Sequence, residues 1–136
     1  MAERIEFETQ IRVRYQETDQ MGVAYHGNYL TWFEVARCEM LDQLNVSYLG
    51  LEQKGFMLPV IEANVKYQKP CYFDDRLKLL AIIKSPPRIK IRVDYELYRL
   101  DEKICEGYTL HAFITSDTRK VCKPPQEFSD AIAALF

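Results

Sequence analysis

The stretch ETDQMGVAYHGNYLTWFEVAR, residues 17–37, carries the features from which the rest of the chain can be interpreted. Near its start a carboxylate, Asp19, and an imidazole, His26, are seven positions apart. Gly22 and Gly27 between and after them permit tight turns. Apolar residues then recur at helical spacing, so the stretch predicts a polar loop that leads into a helix.

The predicted helix is apolar over well over half of its circumference. We expect a helix with so wide an apolar surface to be largely enclosed, and Asn28 to be its N-cap. The apolar stripe and its flanks consist of Tyr29, Phe33, Ala36, Met40 and Leu44, with Leu30, Trp32 and Leu41 beside them.

Alternation of apolar and polar residues predicts strands on both sides of this helix. The short turns between the last three strands indicate an antiparallel meander, and a short terminal helix is expected near residues 126–135. The predicted strands cover residues 7–15, 60–68, 76–84, 88–98 and 104–115.

Together these elements predict one α+β domain over residues 1–136, in which a curved antiparallel five-stranded sheet wraps around one long helix. The second strand is expected to turn Ile61, Ala63, Val65 and Tyr67 toward that helix. The opposite face of the sheet is less polar than a solvated face should be, which predicts a homo-oligomer, either a dimer or a tetramer. The apolar residues assigned to that face are Leu80, Ile82, Tyr98, Cys105 and Phe113.

Composition narrows the possible partners and the compartment. The 18 basic and 20 acidic residues are spread along the chain, which disfavours nucleic acid as a partner. No apolar run approaches the roughly 18 residues of a membrane helix, and no secretory signal is recognisable, so a soluble cytoplasmic protein is expected. The four cysteines are far apart without a C-x-x-C pair, which predicts free thiols and no metal site.

The loop and the start of the helix suggest acyl-transfer chemistry. Free backbone amides and the positive end of the helix dipole, near residues 25–29, would polarise a carbonyl oxygen placed there. A carboxylate such as Asp19 could then attack the carbonyl carbon or deprotonate a water that attacks it. His26 could orient the substrate, hydrogen-bond the acyl oxygen or position the water.

Residues 18–34, TDQMGVAYHGNYLTWFE, resemble the signature of hot-dog-fold acyl-CoA thioesterases of the 4-hydroxybenzoyl-CoA type, particularly their Tol-Pal-associated branch. The resemblance implies that Asp19 is the catalytic carboxylate and that the amide of His26 faces the thioester carbonyl. It also implies that the neighbouring Tyr25, Gly27, Asn28 and Tyr29 form the substrate-binding part of the site. The hydroxybenzoyl-specific members differ, because they have tyrosine and proline where His26 and Gly27 stand.

A basic group around Pro86 and Pro87 is a candidate contact for the phosphates of coenzyme A, although a solvated strand face explains it equally well. Its members are Lys84, Arg88 and Lys90. Glu34, three residues before Arg37, is either a second acidic site or half of a structural ion pair.

The sequence therefore predicts hydrolysis of a small or medium acyl-CoA, without a cofactor beyond the coenzyme A of the substrate. Motifs of serine hydrolases, zinc hydrolases and nucleotide-binding enzymes do not occur in the sequence. Two alternatives stay open: hydrolysis of acyl groups linked to acyl carrier protein, and a non-catalytic module that binds acyl-CoA.

Overall fold

The computed structural model describes residues 4–136 as one five-stranded sheet, a two-stranded ribbon and three α-helices. Within this range none of the helices combines the length and the apolar character needed to cross a membrane. In chain order the elements are β1 (Ile5–Arg12), α1 (Asn28–Gln43), α2 (Tyr48–Gln53), β2 (Phe56–Met57), β3 (Val60–Tyr67), β4 (Arg76–Ile83), β5 (Lys90–Arg99), β6 (Glu102–Ala112), β7 (Ile114–Thr115) and α3 (Gln126–Ala133).

The sheet has the strand order β1-β4-β5-β6-β3, and every neighbouring pair is antiparallel. The predicted five-stranded antiparallel sheet is therefore confirmed, including the β4-β5-β6 meander. The strands β2 and β7 form a separate ribbon. This ribbon ends the last predicted strand early, because the chain leaves the sheet after Ala112 to pair with β2.

The helix α1 packs its apolar stripe against the sheet, with β1 and β4 as its main neighbours. At the centre of this contact the ring of Phe33 stacks on that of Tyr95, with 4.1 Å between centroids and nearly parallel planes. The helix is less completely enclosed than expected, since Leu30 and Val35 remain exposed in the single chain.

The first strand also ends earlier than expected. The strand stops at Arg12 and its alternating burial at Arg14, because the chain enters a single 3-10 turn at Tyr15–Glu17. The side chain of Tyr15, expected on the inner face of a strand, is therefore 76% exposed. This turn directs the chain away from the sheet and toward the start of α1.

The strand β3 is mostly exposed, so the prediction that one row of its side chains faces the helix was wrong. It forms an edge of the sheet, with a register shift between Val60 and Glu62, and α1 covers little of it. As a result Ile61 and Tyr67 are about half exposed, and Val65 alone of the predicted row is partly buried.

Four of the five apolar residues expected on the outer face are covered within the chain, and only Tyr98 is partly exposed, so that argument for a partner subunit fails. Phe113 packs against Phe128 of α3, with ring centroids 5.2 Å apart, and Cys105 lies in the core opposite Leu97. Leu80 and Ile82 do point outward, but both are buried. Their partners in the ladders are four acidic residues: Glu6, Glu8, Asp94 and Glu96.

A chain of hydrogen bonds crosses the core beneath α1 and ends at His111, which is fully buried. The Pro59 carbonyl lies 3.2 Å from His111 Nδ1 and can only accept, so this nitrogen carries the proton. Thr109 then donates to Nε2 at 2.8 Å, and the Tyr95 hydroxyl donates to Thr109 at 2.7 Å. Arg37 donates to the Tyr95 hydroxyl oxygen at 3.3 Å, which completes a satisfied polar network.

This network makes stability depend on pH. Burial, with the guanidinium of Arg37 nearby, lowers the pKa of His111 from 6.5 to about 4. Between these values the unfolded chain binds a proton at residue 111 that the folded chain does not, so the free energy of unfolding falls as pH falls. The loss is about 3 kcal/mol at most.

We expect His111→Gln to remove this contribution, so that the stability difference between parent and variant shrinks as pH falls from about 7 to about 4.5. Urea unfolding at several pH values measures it. His26→Gln, at an exposed position, is the matched control and should keep the parent's pH dependence. If parent and His111→Gln lose stability in parallel, the buried imidazole does not titrate as described.

Candidate active site

The loop between β1 and α1 is held by the side chain of Glu17, which is only 5% exposed. Its Oε1 accepts a hydrogen bond from the Arg14 amide at 2.8 Å. Its Oε2 accepts one from Trp32 Nε1 on α1, also at 2.8 Å. One buried carboxylate thus connects the end of the first strand region to the long helix.

The backbone of Glu17 holds the far end of the same loop. Its carbonyl oxygen accepts from the Tyr25 amide at 2.8 Å and from Asn28 Nδ2 at 2.7 Å. Asn28 is therefore not the N-cap that the sequence predicted, because it is the first residue of α1 and its side chain reaches back to the loop. The N-cap position belongs to Gly27, which provides no side-chain cap.

The charge of Glu17 is stabilised in this position. Burial on its own raises the pKa of Glu17, but hydrogen bonds from the Arg14 amide, the Trp32 indole and the Arg14 guanidinium together lower it below the usual value. The carboxylate is thus ionised at neutral pH, and its hydrogen bonds are of the strong, charge-assisted kind.

Asp19 lies at the start of a tight turn and keeps one carboxylate oxygen available. Its Oδ1 accepts from the Met21 amide at 2.8 Å, and its carbonyl accepts from the Gly22 amide at 2.9 Å. Gly22 has φ +79°, the left-handed conformation that glycine adopts without strain. In residues 4–136 no group donates to Asp19 Oδ2, and the side chain is only partly buried.

Two backbone amides just before the start of α1 have no acceptor within residues 4–136, whereas the first two amides of the helix do. The Asn28 amide donates to the Tyr25 carbonyl at 3.0 Å, and the Tyr29 amide donates to the His26 carbonyl at 3.3 Å. The amides of His26 and Gly27 donate to no acceptor in the part of the chain that the structure describes. They are the unpaired N–H groups expected at a helix N-terminus, where the helix dipole also favours negative charge.

Asp19 and the start of α1 line one cleft of about 310 Å³. Tyr29 forms a buried wall, and its hydroxyl lies 3.3 Å from Sγ of the fully buried Cys71. The cleft continues past the end of β3 to Lys69, which is paired with Glu102 at 2.9 Å. Its lining includes Asp19, Val23, Ala24, His26, Tyr29, Tyr67 and Lys69.

The remaining predicted residues of the motif lie beside the cleft. The half-exposed ring of Tyr25 packs against the imidazole of His26, with 4.4 Å between ring centroids. A Cβ atom at Gly27 would lie 2.7 Å from the Tyr25 ring, so glycine allows this packing. The structure thus brings Asp19, His26 and Tyr29 together, while Asn28 contributes through Glu17.

The predicted basic group lies elsewhere in the chain. Lys84, Arg88 and Lys90 surround a separate depression of about 520 Å³ at the β4–β5 connection. The cleft lies near the start of β4, and Lys84 follows its end, so roughly 25 Å of strand separates them at about 3.3 Å per residue. Glu34 is also outside the cleft, in a groove that it shares with Arg37.

Sequence reasoning missed the supporting residues of the site. Glu17 and Trp32 were not assigned any role in the site, although they are hydrogen-bonded across 15 positions. Tyr67 was assigned to the inner face of a strand, yet its hydroxyl donates to the His26 carbonyl at 2.9 Å. Separations of this size carry no periodic signal. In residues 4–136 no group of three or more histidine, cysteine or acidic side chains could hold a metal ion.

The family model described as the thioesterase-like superfamily matches residues 13–132. The chain belongs to this superfamily. It is similar to the DHNA-CoA thioesterase from Staphylococcus aureus, with a TM-score of 0.90, 34% identity, and coverage of 96% of this chain and 90% of that one. The fold and the family are therefore shown by sequence and structure together.

Two curated relatives agree with this assignment. The putative acyl-CoA thioesterase YneP of Bacillus subtilis is 38% identical over 89 residues, which span 65% of this chain and 64% of that protein. The 1,4-dihydroxy-2-naphthoyl-CoA hydrolase of Synechococcus elongatus is 27% identical over 132 residues, which span 92% and 93% of the two chains.

We expect Glu17→Gln to lower the free energy of unfolding by about 2 kcal/mol, because the amide group of glutamine turns a donor toward either Arg14 or Trp32. Urea unfolding near neutral pH measures the change. Glu8→Gln is the matched control, since Glu8 lies on the exposed face of β1 and within residues 4–136 its carboxylate accepts a hydrogen bond only from Gln10. Equal stability of Glu17→Gln and parent would show that this carboxylate does not hold the loop.

Proposed function

We propose that this chain hydrolyses the thioester bond of acyl-CoA, with Asp19 as the catalytic carboxylate. One observation carries the proposal: Asp19 and the start of α1 line the same cleft. Within residues 4–136, Asp19 Oδ2 and the amide of His26, two residues of the cleft lining, have no internal partner, and neither has the amide of Gly27 beside the cleft. A thioester carbonyl in the cleft would find hydrogen-bond donors for its oxygen and a carboxylate for its carbon.

The chemistry follows from these groups. The two amides and the positive end of the α1 dipole stabilise the negative charge that develops on the carbonyl oxygen. Asp19 either adds to the carbonyl carbon, giving an acyl anhydride that water then hydrolyses, or takes a proton from the water that adds. In both routes the carbon–sulfur bond breaks and coenzyme A leaves as a thiolate.

The neighbouring side chains assist in different ways. We propose that His26, at the cleft wall, orients the thioester or positions the water. Tyr29 provides an apolar wall for the acyl group. Tyr25, Gly27 and Asn28 shape the start of the helix, through the aromatic packing on His26 and the hydrogen bond to Glu17.

The names of the relatives bear on the substrate. The names of the Staphylococcus and Synechococcus proteins specify CoA thioesters, the latter with a bicyclic aromatic acyl group, and YneP is named for acyl-CoA generally. We propose a small or medium acyl group for this chain and include aromatic ones. Membership of the Tol-Pal-associated branch is a proposal that rests on the residues 25–29 alone, and a cytoplasmic location stays a prediction.

The basic group of the β4–β5 connection stays a candidate for coenzyme A phosphates. Because Lys84, Arg88 and Lys90 lie at the far end of β4 from the cleft, we propose that they meet the phosphates of a substrate held by a second copy of the chain. Charge-assisted contacts of this kind would favour coenzyme A, although an acidic carrier protein would also be attracted.

We expect Asp19→Asn to lower kcat for acyl-CoA hydrolysis by at least about a hundredfold, because asparagine neither attacks nor accepts a proton. Release of free thiol from a panel of acyl-CoA substrates measures the rate. Asp42→Asn, on the exposed C-terminal turn of α1, is the matched control and should retain the parent's rate.

The same assay separates the alternatives. Turnover of acyl groups linked to acyl carrier protein, with little turnover of acyl-CoA, would favour the hypothesis that the carrier-linked thioester is the substrate. Binding of acyl-CoA without any thiol release would identify a non-catalytic binding module. An Asp19→Asn variant as active as the parent would remove Asp19 from the mechanism.

We also propose a homo-oligomer, for a reason that differs from the one expected from sequence. The edge strand β3 is paired on one side only, by β6, and it exposes Val60, Ile61 and Tyr67. A long edge with apolar side chains tends to be covered, and pairing with the same edge of a second copy satisfies its free backbone groups.

We expect sedimentation velocity to find a dimer or tetramer of the parent chain, and Ile61→Lys to shift it toward monomer because a charge cannot be buried at the paired edge. Val121→Lys, at an exposed apolar residue outside the five-stranded sheet, is the control and should leave the assembly unchanged. A parent chain that is monomeric at all concentrations would contradict the proposal.

A further inference from the structure

Tyr67 connects the edge of the sheet to the start of α1. It is the last residue of β3, it lines the cleft, and its hydroxyl donates to the His26 carbonyl oxygen at 2.9 Å. The Tyr29 amide reaches the same oxygen at a longer 3.3 Å. The shorter hydrogen bond of this carbonyl therefore comes from the sheet and the longer one from the helix.

The His26 carbonyl and the Gly27 N–H are opposite ends of one peptide group. Because that group is planar and trans, a hydrogen bond that fixes the direction of the carbonyl also fixes the direction of the N–H. The Gly27 amide is one of the two donors that have no acceptor in the described part of the chain. Tyr67 thus acts on a proposed oxyanion donor without touching the substrate carbonyl.

The ring of Tyr67 is held where this hydrogen bond requires it. It packs edge-on against Tyr29, with ring centroids 4.9 Å apart and planes at 85°. It also meets the His26 imidazole edge-on at 6.1 Å. Tyr29 is buried in the core, so the ring of Tyr67 is supported on its inner side by a packed side chain.

We propose that Tyr67 is a positioning residue, which aims the Gly27 amide at the thioester carbonyl and strengthens it as a donor through the hydrogen bond at the other end of the peptide. This inference rests on the proposed thioesterase function. A purely structural role, in which the hydroxyl only ties β3 to α1, predicts a loss of stability without a specific loss of kcat.

We expect Tyr67→Phe to lower kcat for acyl-CoA by about tenfold with KM within about twofold of the parent, because the donor remains but loses its direction; complete removal of such a donor costs about a hundredfold or more. Tyr108→Phe is the matched control. This substitution removes a hydroxyl on β6 that is hydrogen-bonded to Glu62 on β3. Both residues lie outside the cleft, so kcat should be unchanged.

Stability and a spectroscopic measurement make the result decisive. The urea concentration at the unfolding midpoint should be the same for Tyr67→Phe and Tyr108→Phe. Only Tyr67→Phe should shift the amide resonance of Gly27 in a nitrogen–proton correlation spectrum. A kcat equal to that of the parent, or a fall in kcat that follows the fall in stability, would overturn the positioning role.

The spectrum also separates this inference from the proposed function. If the parent hydrolyses no acyl-CoA, the proposed function fails, and the Gly27 resonance still reports whether Tyr67 orients the peptide. An unmoved Gly27 resonance in Tyr67→Phe would reject the inference even in an active enzyme. Tyr67→Leu, which also removes the ring, should shift the resonances of both His26 and Gly27.

Discussion

The buried carboxylate of Glu17 is the interaction on which the geometry of the candidate site depends. Through its side chain it joins Arg14 to Trp32, and through its carbonyl it holds Tyr25 and Asn28. The loop between these points has few buried side chains of its own, so apolar packing alone would not define its path. Instead, the path of the loop is fixed by charge-assisted hydrogen bonds, which lie in a site shielded from water.

The polar groups that stay unpaired stand out because most of their neighbours are paired. In the loop, the amides of Met21, Gly22 and Tyr25 all have acceptors within the chain. The amides of His26 and Gly27 and the Oδ2 atom of Asp19 have no partner within residues 4–136, and both Asp19 and His26 line the cleft. Free backbone donors at a helix N-terminus and a carboxylate oxygen without an internal partner are available to a ligand, which is why this arrangement favours catalysis over a purely structural loop.

The strand β3 links the proposed assembly to the proposed chemistry. Its exposed edge is the surface offered to a second copy, and its last residue, Tyr67, contacts the carbonyl of His26. Pairing of two edges would restrict the motion of the strand and so of this contact. Assembly and the direction of the Gly27 amide are therefore coupled in the proposed enzyme, without any residue of β3 taking part in the reaction itself.

Local patterns in the sequence determined the strands of the sheet, the long helix and the loop that carries Asp19 and His26. Alternation and helical spacing are properties of neighbouring residues, so β1, β4, β5 and β6 were predictable, as was the meander that short turns impose. The ends of β1 and β6 were less predictable, because the 3-10 turn after β1 and the pairing of β7 with β2 depend on contacts with other segments.

Only the tertiary structure decided which residues are covered and which distant groups meet. Cys105 is buried and Ile61 exposed because coverage depends on the neighbouring strand or helix, not on parity along the chain. The Glu17 side chain finds Trp32, and the Tyr67 hydroxyl finds the His26 carbonyl 41 positions away, through packing that no local period encodes. The sequence by itself determined which polar groups lie at the start of α1, and the folded chain decided which other residues hold those groups in place.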